Sequence, residues 1–392
     1  MISVRQALSL IQKHTVTPVA TEVHIEQALG QVLAKDILSP IAMPPFTQSA
    51  MDGYAIRLST DPKYKVIGES KAGDNIGYEI KKGEAVRIFT GAVIPEYTDT
   101  VVIQEHVEIK GNNIFITKLP AKGANIRLKG EQLSKNDLVL TKGHKINEAS
   151  IGLLAGLGVQ KLKIFQTPKT GILVTGNELQ VAGTPLIAGK IYESNSVMLK
   201  SALKRNGFGN TNIYNVRDDI SYTNKVIKKA LSENDVLLIS GGISVGKYDF
   251  VREALLSNSV KEVFYKINQK PGKPLWFGAR DKKRVFALPG NPAASLVCFY
   301  IYVLPELRRQ KGFTNRDLKI SSGKLSRAQE NRSGKSLFLK AKVNNTSVEI
   351  LDGQSSAMLH SFSQANALVL IPESKKIIEE GEKVEYLELG YE

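Results

Sequence analysis

The sequence predicts an α/β and β multidomain protein built around a central, open and mostly parallel α/β sheet. Two observations carry that prediction. From about residue 168 to 312, apolar strand-like runs alternate with amphipathic helical stretches, the order of a parallel sheet with helices on its faces. On either side, at about 64–118 and after Gly312, short strand-like runs follow one another with turn residues between them, which marks all-β units. A chain of 392 residues has material for two to four domains and more than one core.

The elements follow in order. Ser3 and Gln6 form a capping-box pattern, and Val4, Ala7, Leu8 and Ile11 give the first helix its apolar stripe. A second helix is expected at about 24–34. The chain then turns irregular at SPIAMPPFTQSAMDGYAI. YKVIGES, AVRIFTGA, TVVIQEHVEI and IFITK read as strands of a small β insertion, and NEASIGLLAGL at 147–157 returns to helix.

In the central part TGILVTG, TNIYNV, DVLLIS, VFYKI and VFALPG read as strands. SNSVMLKSALKRNGF, YTNKVIKKALS, FVREALLS and the stretch from Pro292 read as helices. LFLKAKV, VEILDG, ALVLIP and KVEYLEL then form a C-terminal all-β unit. The expected division is 1–167, with the β insertion at about 46–135, then 168–312 and 313–392.

Composition narrows the chemistry. The longest apolar run, AASLVCFYIYVL, has 12 residues, too few to cross a bilayer roughly 30 Å thick, so it is expected to be a buried helix. The N-terminus lacks the solid apolar block of a signal peptide, and a cytoplasmic protein is expected. A single cysteine, Cys298, excludes an internal disulfide framework, and its apolar neighbours predict a buried thiol. The five histidines are scattered, without metal-ligand spacing. A net charge of +15 favours anionic partners or simple solubility, and no zinc-finger, RRM or basic-zipper pattern points to nucleic acid.

Ligands of an open α/β sheet bind beyond the carboxyl ends of its strands. Four such ends are unusual here: TGNEL with Glu178, VRDD with Asp218 and Asp219, SGGISVGKYD ending in Asp249, and LPGNPAAS. The third nearly spells a nucleotide-binding loop, but Tyr248 stands where a Ser or Thr would hold Mg²⁺. A carboxylate can hold that ion instead, and Asp249 is a candidate, as it is for the cap of the helix FVREALLS. Gly241 and Gly242 free the backbone to point N–H groups at an anion. In LPGNPAAS, Gly290, Asn291 and Pro292 either form a second anion site at a helix N-terminus or simply start the helix. Lys270 and Lys273 in KPGKP suit an oxyanion, or form a solvated basic turn.

SAMDGYA, RIFTGAVIP, GANIRLKGE, VTGNEL, SGGISVGKYD, KPGKP, LPGNPAAS and SFSQANALVLIP occur in this order. Together they resemble the MoeA-type molybdopterin molybdenumtransferases and, with them, the related E domains of plant and animal proteins such as gephyrin. The likeness runs essentially end to end.

The resemblance implies a homodimeric enzyme that takes adenylylated molybdopterin and molybdate, places molybdenum on the dithiolene and releases AMP with Mg²⁺. It implies metal or adenylyl handling by Glu178, Asp218 and Asp249. It places Asp52 and Thr90 in positioning roles from a partner subunit. Substrate contacts fall on Arg127, Ser240, Gly241, Gly242, Ser244, Gly246, Lys270, Lys273, Pro289, Gly290, Asn291, Pro292, Lys340, Ser355 and Ser356.

Four departures stand out: Gln132 in place of an Asp, Thr47 with Gln48 before SAMDGYA, Val93 after TGA, and Lys340 where the family has an arginine. Lysine keeps the charge of that last position but not the two-pronged grip. An adenylyltransferase of the same fold supplies the alternative enzyme, and a gephyrin-like scaffold the alternative without chemistry. Adenylyltransferase and recipient molybdoenzymes are the implied partners, with neither nucleic acid nor membrane.

Overall fold

The computed structural model describes residues 1–74, 77–217, 219–242 and 250–390. Its centre is a six-stranded sheet in the order Thr211–Val216, Thr170–Thr175, Val236–Ser240, Lys283–Leu288, Trp276–Arg280 and Lys261–Tyr265. The first four are parallel, and Trp276–Arg280 pairs antiparallel with both of its neighbours, so Lys261–Tyr265 runs with the first four. The strand Trp276–Arg280, which the sequence pattern did not reveal, forms a hairpin with Lys283–Leu288.

Both faces of the sheet are covered, which explains why its inner strands read as continuous apolar runs. Ile172, Val174, Val236 and Leu238 join one core, while Leu173, Leu237 and Ile239 join the other, as the period of two requires. Leu199 and Leu203 of Asn195–Arg205 cover the first face together with Ala7 and Ile11 of the N-terminal helix Val4–Lys13. Ile227 and Leu231 of Ile220–Glu233 and Val251 and Leu255 of Phe250–Ser257 cover the second.

Ser3 and Gln6 close the expected capping box on Val4–Lys13. The run at 293–304 is a buried helix, continuous from Pro292 to Gln310 through a π-helical segment at Phe299–Val303. Cys298 is fully buried.

The expected helix at 24–34 is absent. Ala20–His24 is a strand paired with Lys161–Phe165, one 3₁₀ turn covers Ile25–Gln27, and Gly30 takes φ +72°. The apolar spacing there serves Ala28, Val32 and Leu33, which enter the core from irregular backbone. The β insertion is a second six-stranded sheet containing Gly53–Ile56, Lys63–Ser70 and Glu84–Ile88.

At the C-terminus, Ser336–Asn344 pairs with both Ser347–Ile350 and Ala367–Ile371. Ile320–Leu325 and Lys383–Glu388 complete the ring, so the sheet closes into a barrel. Leu337, Leu339 and Ala341 fill its interior, whereas Phe338 packs into the core of the central sheet. Among the described residues no helix is long and apolar enough to cross a membrane.

Candidate active site

The carboxyl ends of the parallel strands open on a cavity of about 1220 Å³. It is built where the central sheet meets the barrel. The parallel pairing of Gln269–Lys270 with Ser336–Leu337 joins the two.

Glycine makes the cavity floor possible. Gly241 and Gly242 follow Val236–Ser240 with φ of +92° and +65°. A Cβ on Gly241 would lie 2.7 Å from the Thr175 carbonyl oxygen, and one on Gly242 would lie 2.6 Å from Val251 Cγ2. No side chain fits, so bare backbone faces the cavity there. Pro289, Gly290, Asn291 and Pro292 line it from the next loop. Asn291 donates to Ser356 Oγ at 2.7 Å, and the Ala294 amide donates to the Ser356 carbonyl at 3.1 Å. The start of the buried helix is thereby tied to the barrel loop that brings Ser355 and Ser356 to the cavity.

Glu178 lines the same cavity, exposed, with its carboxylate folded back over Gly176. No cation is recorded against it among the described residues. Lys270 and Lys273 line it as well, exposed, on a turn held by hydrogen bonds from its neighbours. The Gln269 amide donates to the Pro271 carbonyl at 2.9 Å and accepts from the Tyr302 hydroxyl. The Ile267 amide donates to the Lys273 carbonyl at 2.9 Å.

Asp218, Ser244, Gly246 and Asp249 lie outside the described residues. Asp52, Thr90 and Arg127 belong to the N-terminal region and do not line this cavity. Asp52 accepts from the amide and the hydroxyl of Thr90, both at 2.8 Å, and these bonds hold its carboxyl below the usual range. Arg127 pairs with Gln48 in a two-residue strand beside Glu131 and Gln132.

Lys340 corrects an expectation. It is 3% exposed, and its ammonium donates to the carbonyls of Gly353 at 2.6 Å, Met358 at 3.0 Å and Ser355 at 3.4 Å. It supports the wall of the cavity from behind and does not line it.

A search against protein families matches three consecutive segments. Residues 2–158 match the MoeA N-terminal region (domain I and II), residues 171–309 the probable molybdopterin binding domain, and residues 322–389 the MoeA C-terminal region (domain IV). A molybdopterin molybdenumtransferase of Haemophilus influenzae is 33% identical, the alignment covering 98% of each chain. The chain belongs to the MoeA family. A relative from Nostoc, also named molybdopterin molybdenumtransferase, is 32% identical over 92% of this chain and 87% of its own. The crystal structure of a molybdopterin biosynthesis MoeA protein from Pyrococcus horikosii superposes over the full length of both chains with a TM-score of 0.86 and 32% identity.

Within this MoeA architecture several site residues escaped the sequence, three of them with a clear part in its geometry. Asn195 donates to Ser240 Oγ and to the Gly290 carbonyl, both at 2.7 Å, and so clasps the two glycine loops together. The asparagine in ESNS reads as helix-start chemistry, and only the fold reveals its reach. Gln269 and Lys335 line the cavity without any motif to mark them.

Proposed function

We propose that the chain is a molybdopterin molybdenumtransferase, inserting molybdenum from molybdate into adenylylated molybdopterin with release of AMP. The observation that carries this reading is one cavity that combines bare glycine amides, a carboxylate with no cation against it among the described residues, and a lysine turn. Such a site accommodates two anions side by side, and holding reactants together removes much of the entropic barrier to their encounter. Backbone N–H groups of the Gly241 and Gly290 loops would bind phosphate oxygens, while Lys270 and Lys273 would neutralise an oxyanion in the same cavity.

Among the described residues the groups at the cavity that could ligate a cation are hard oxygens, with no thiolate or imidazole among them, and this chemistry fits Mg²⁺. Glu178 would hold the ion, joined by Asp218 and Asp249 on the family likeness. When bound, Mg²⁺ would stabilise charge on the adenylyl phosphate. The Asp52–Thr90 pair and Arg127, remote from the cavity of their own chain, would serve the site of a second copy in a homodimer. The adenylylated substrate would come from an adenylyltransferase, and the product would pass to a molybdoenzyme.

The test is AMP release from adenylylated molybdopterin with and without molybdate. Release should require molybdate and fall at least a hundredfold in Glu178→Gln. Formation of adenylylated molybdopterin from ATP and the apo-pterin would instead support an adenylyltransferase. Mixing Glu178→Gln with Asp52→Ala should restore part of the activity only if two copies share each site.

A further inference from the structure

The C-terminal barrel supplies a cation to the cavity, and it is not the lysine that the motif indicates. Lys340 is buried and spent on three carbonyls. Lys335 stands one residue before the same strand, half-buried, and lines the cavity with Lys270 and Lys273. No acceptor for its ammonium is recorded among the described residues. Glu373, the acid brought to this edge by Asn268, turns its carboxylate to the Asn268 amide.

The backbone around Lys335 is fixed. Its carbonyl accepts from Asn331 Nδ2 at 2.8 Å, the Ser336 amide donates to the Asn268 carbonyl at 3.1 Å, and Gln269 pairs with Ser336. A ladder rung thus holds position 335 beside the lysine turn. An ammonium with no acceptor among the described residues, gathered with two others in one cavity, gains most from a shared anion. We infer that Lys335 is a binding residue for a tetrahedral oxyanion, held jointly by Lys270 and Lys273 across the junction of barrel and sheet. The inference rests on the transferase reading for the source of that anion, either the phosphate of the adenylyl group or molybdate.

Calorimetric titration of the full chain with AMP and, separately, with molybdate tests it in Lys335→Gln, Lys335→Glu and Lys335→Arg. Removing a cation that has no acceptor among the described residues should leave the melting temperature unchanged. The dissociation constant of one anion should rise about tenfold in Lys335→Gln and further in Lys335→Glu, with the other anion within about twofold and Lys335→Arg within about threefold of the parent. Which anion responds names the source. Unchanged affinity in Lys335→Glu, or an equal loss for both anions, overturns the assignment. A parent protein that binds both anions yet releases no AMP sinks the transferase reading and leaves the Lys335 result standing on binding alone.

Discussion

The Lys340 ammonium donates to the Gly353 carbonyl at 2.6 Å, inside a wall from which burial has already lowered its pKa. Two further carbonyls accept from it, so Lys340→Met strips a charged donor from three acceptors at once, although Gly353 keeps Ser361 Oγ and Ser355 keeps the Met358 amide. Urea unfolding should show a loss of about 1–3 kcal/mol. A variant as stable as the parent would contradict the structural role.

Asn195 carries a comparable burden on the cavity floor, since both of its donor hydrogens are committed. Asn195→Ala should cost about 1–2 kcal/mol of stability and reduce AMP release at least tenfold, because the two loops lose their common anchor. Asn195→Asp should not rescue, because it turns an oxygen toward the Gly290 carbonyl. Activity restored by the aspartate would count against the clasp.

Tyr302 acts on the lysine turn at one remove. It reaches Gln269 from the π-helical segment, a distortion frequent at functional sites. Tyr302→Phe removes one hydrogen bond, and KM for molybdate should rise about threefold to tenfold with kcat within about twofold. Loss of stability with KM unchanged would reduce Tyr302 to a packing residue.

Thr90→Val tests the Asp52 pair. The valine deletes the hydroxyl donor and keeps the amide, the larger cause of the depressed pKa. Carbon NMR titration should therefore place the Asp52 carboxyl higher than in the parent but still below 3.8. The stabilising contribution of the Asp52 carboxylate is present above its unfolded pKa and fades as pH falls through the folded one.

Lys311 gives stability an alkaline dependence. Buried at 2% exposure, it donates to the Gly207 carbonyl at 3.2 Å and lies over the Phe208 ring. Burial first, then the Lys145 charge, lowers its pKa to about 8 from 10.5. Between those values the unfolded chain binds more protons, so this group makes stability rise with pH. From pH 8 to 9.5 the gain should be about 1–2 kcal/mol relative to Lys311→Met, measured by urea unfolding at several pH values.

Local pattern exposed much of this molecule. The inner strands at 170–175 and 236–240 betray their double-sided burial by unbroken apolar runs, and the glycine loops announce themselves by composition. Trp276–Arg280 stayed hidden because its glycine at 278 breaks a strand signature while making room for the Trp276 ring. Residues 24–34 misled because helical spacing of apolar positions also suits irregular backbone that dips repeatedly into a core. Lys340 misled differently: a motif position fixes a residue type, but only the alternation of the barrel strand decides what it touches. Asn195 and Lys335 owe their importance to neighbours far away in sequence.

The rung between Gln269 and Ser336 makes the barrel inseparable from the working centre. A polypeptide shortened at Gly312 would keep every glycine loop and still lack one flank of the KPGKP segment. Dissecting this chain into modules, however natural the seams look, would therefore cut through the ligand's own bed.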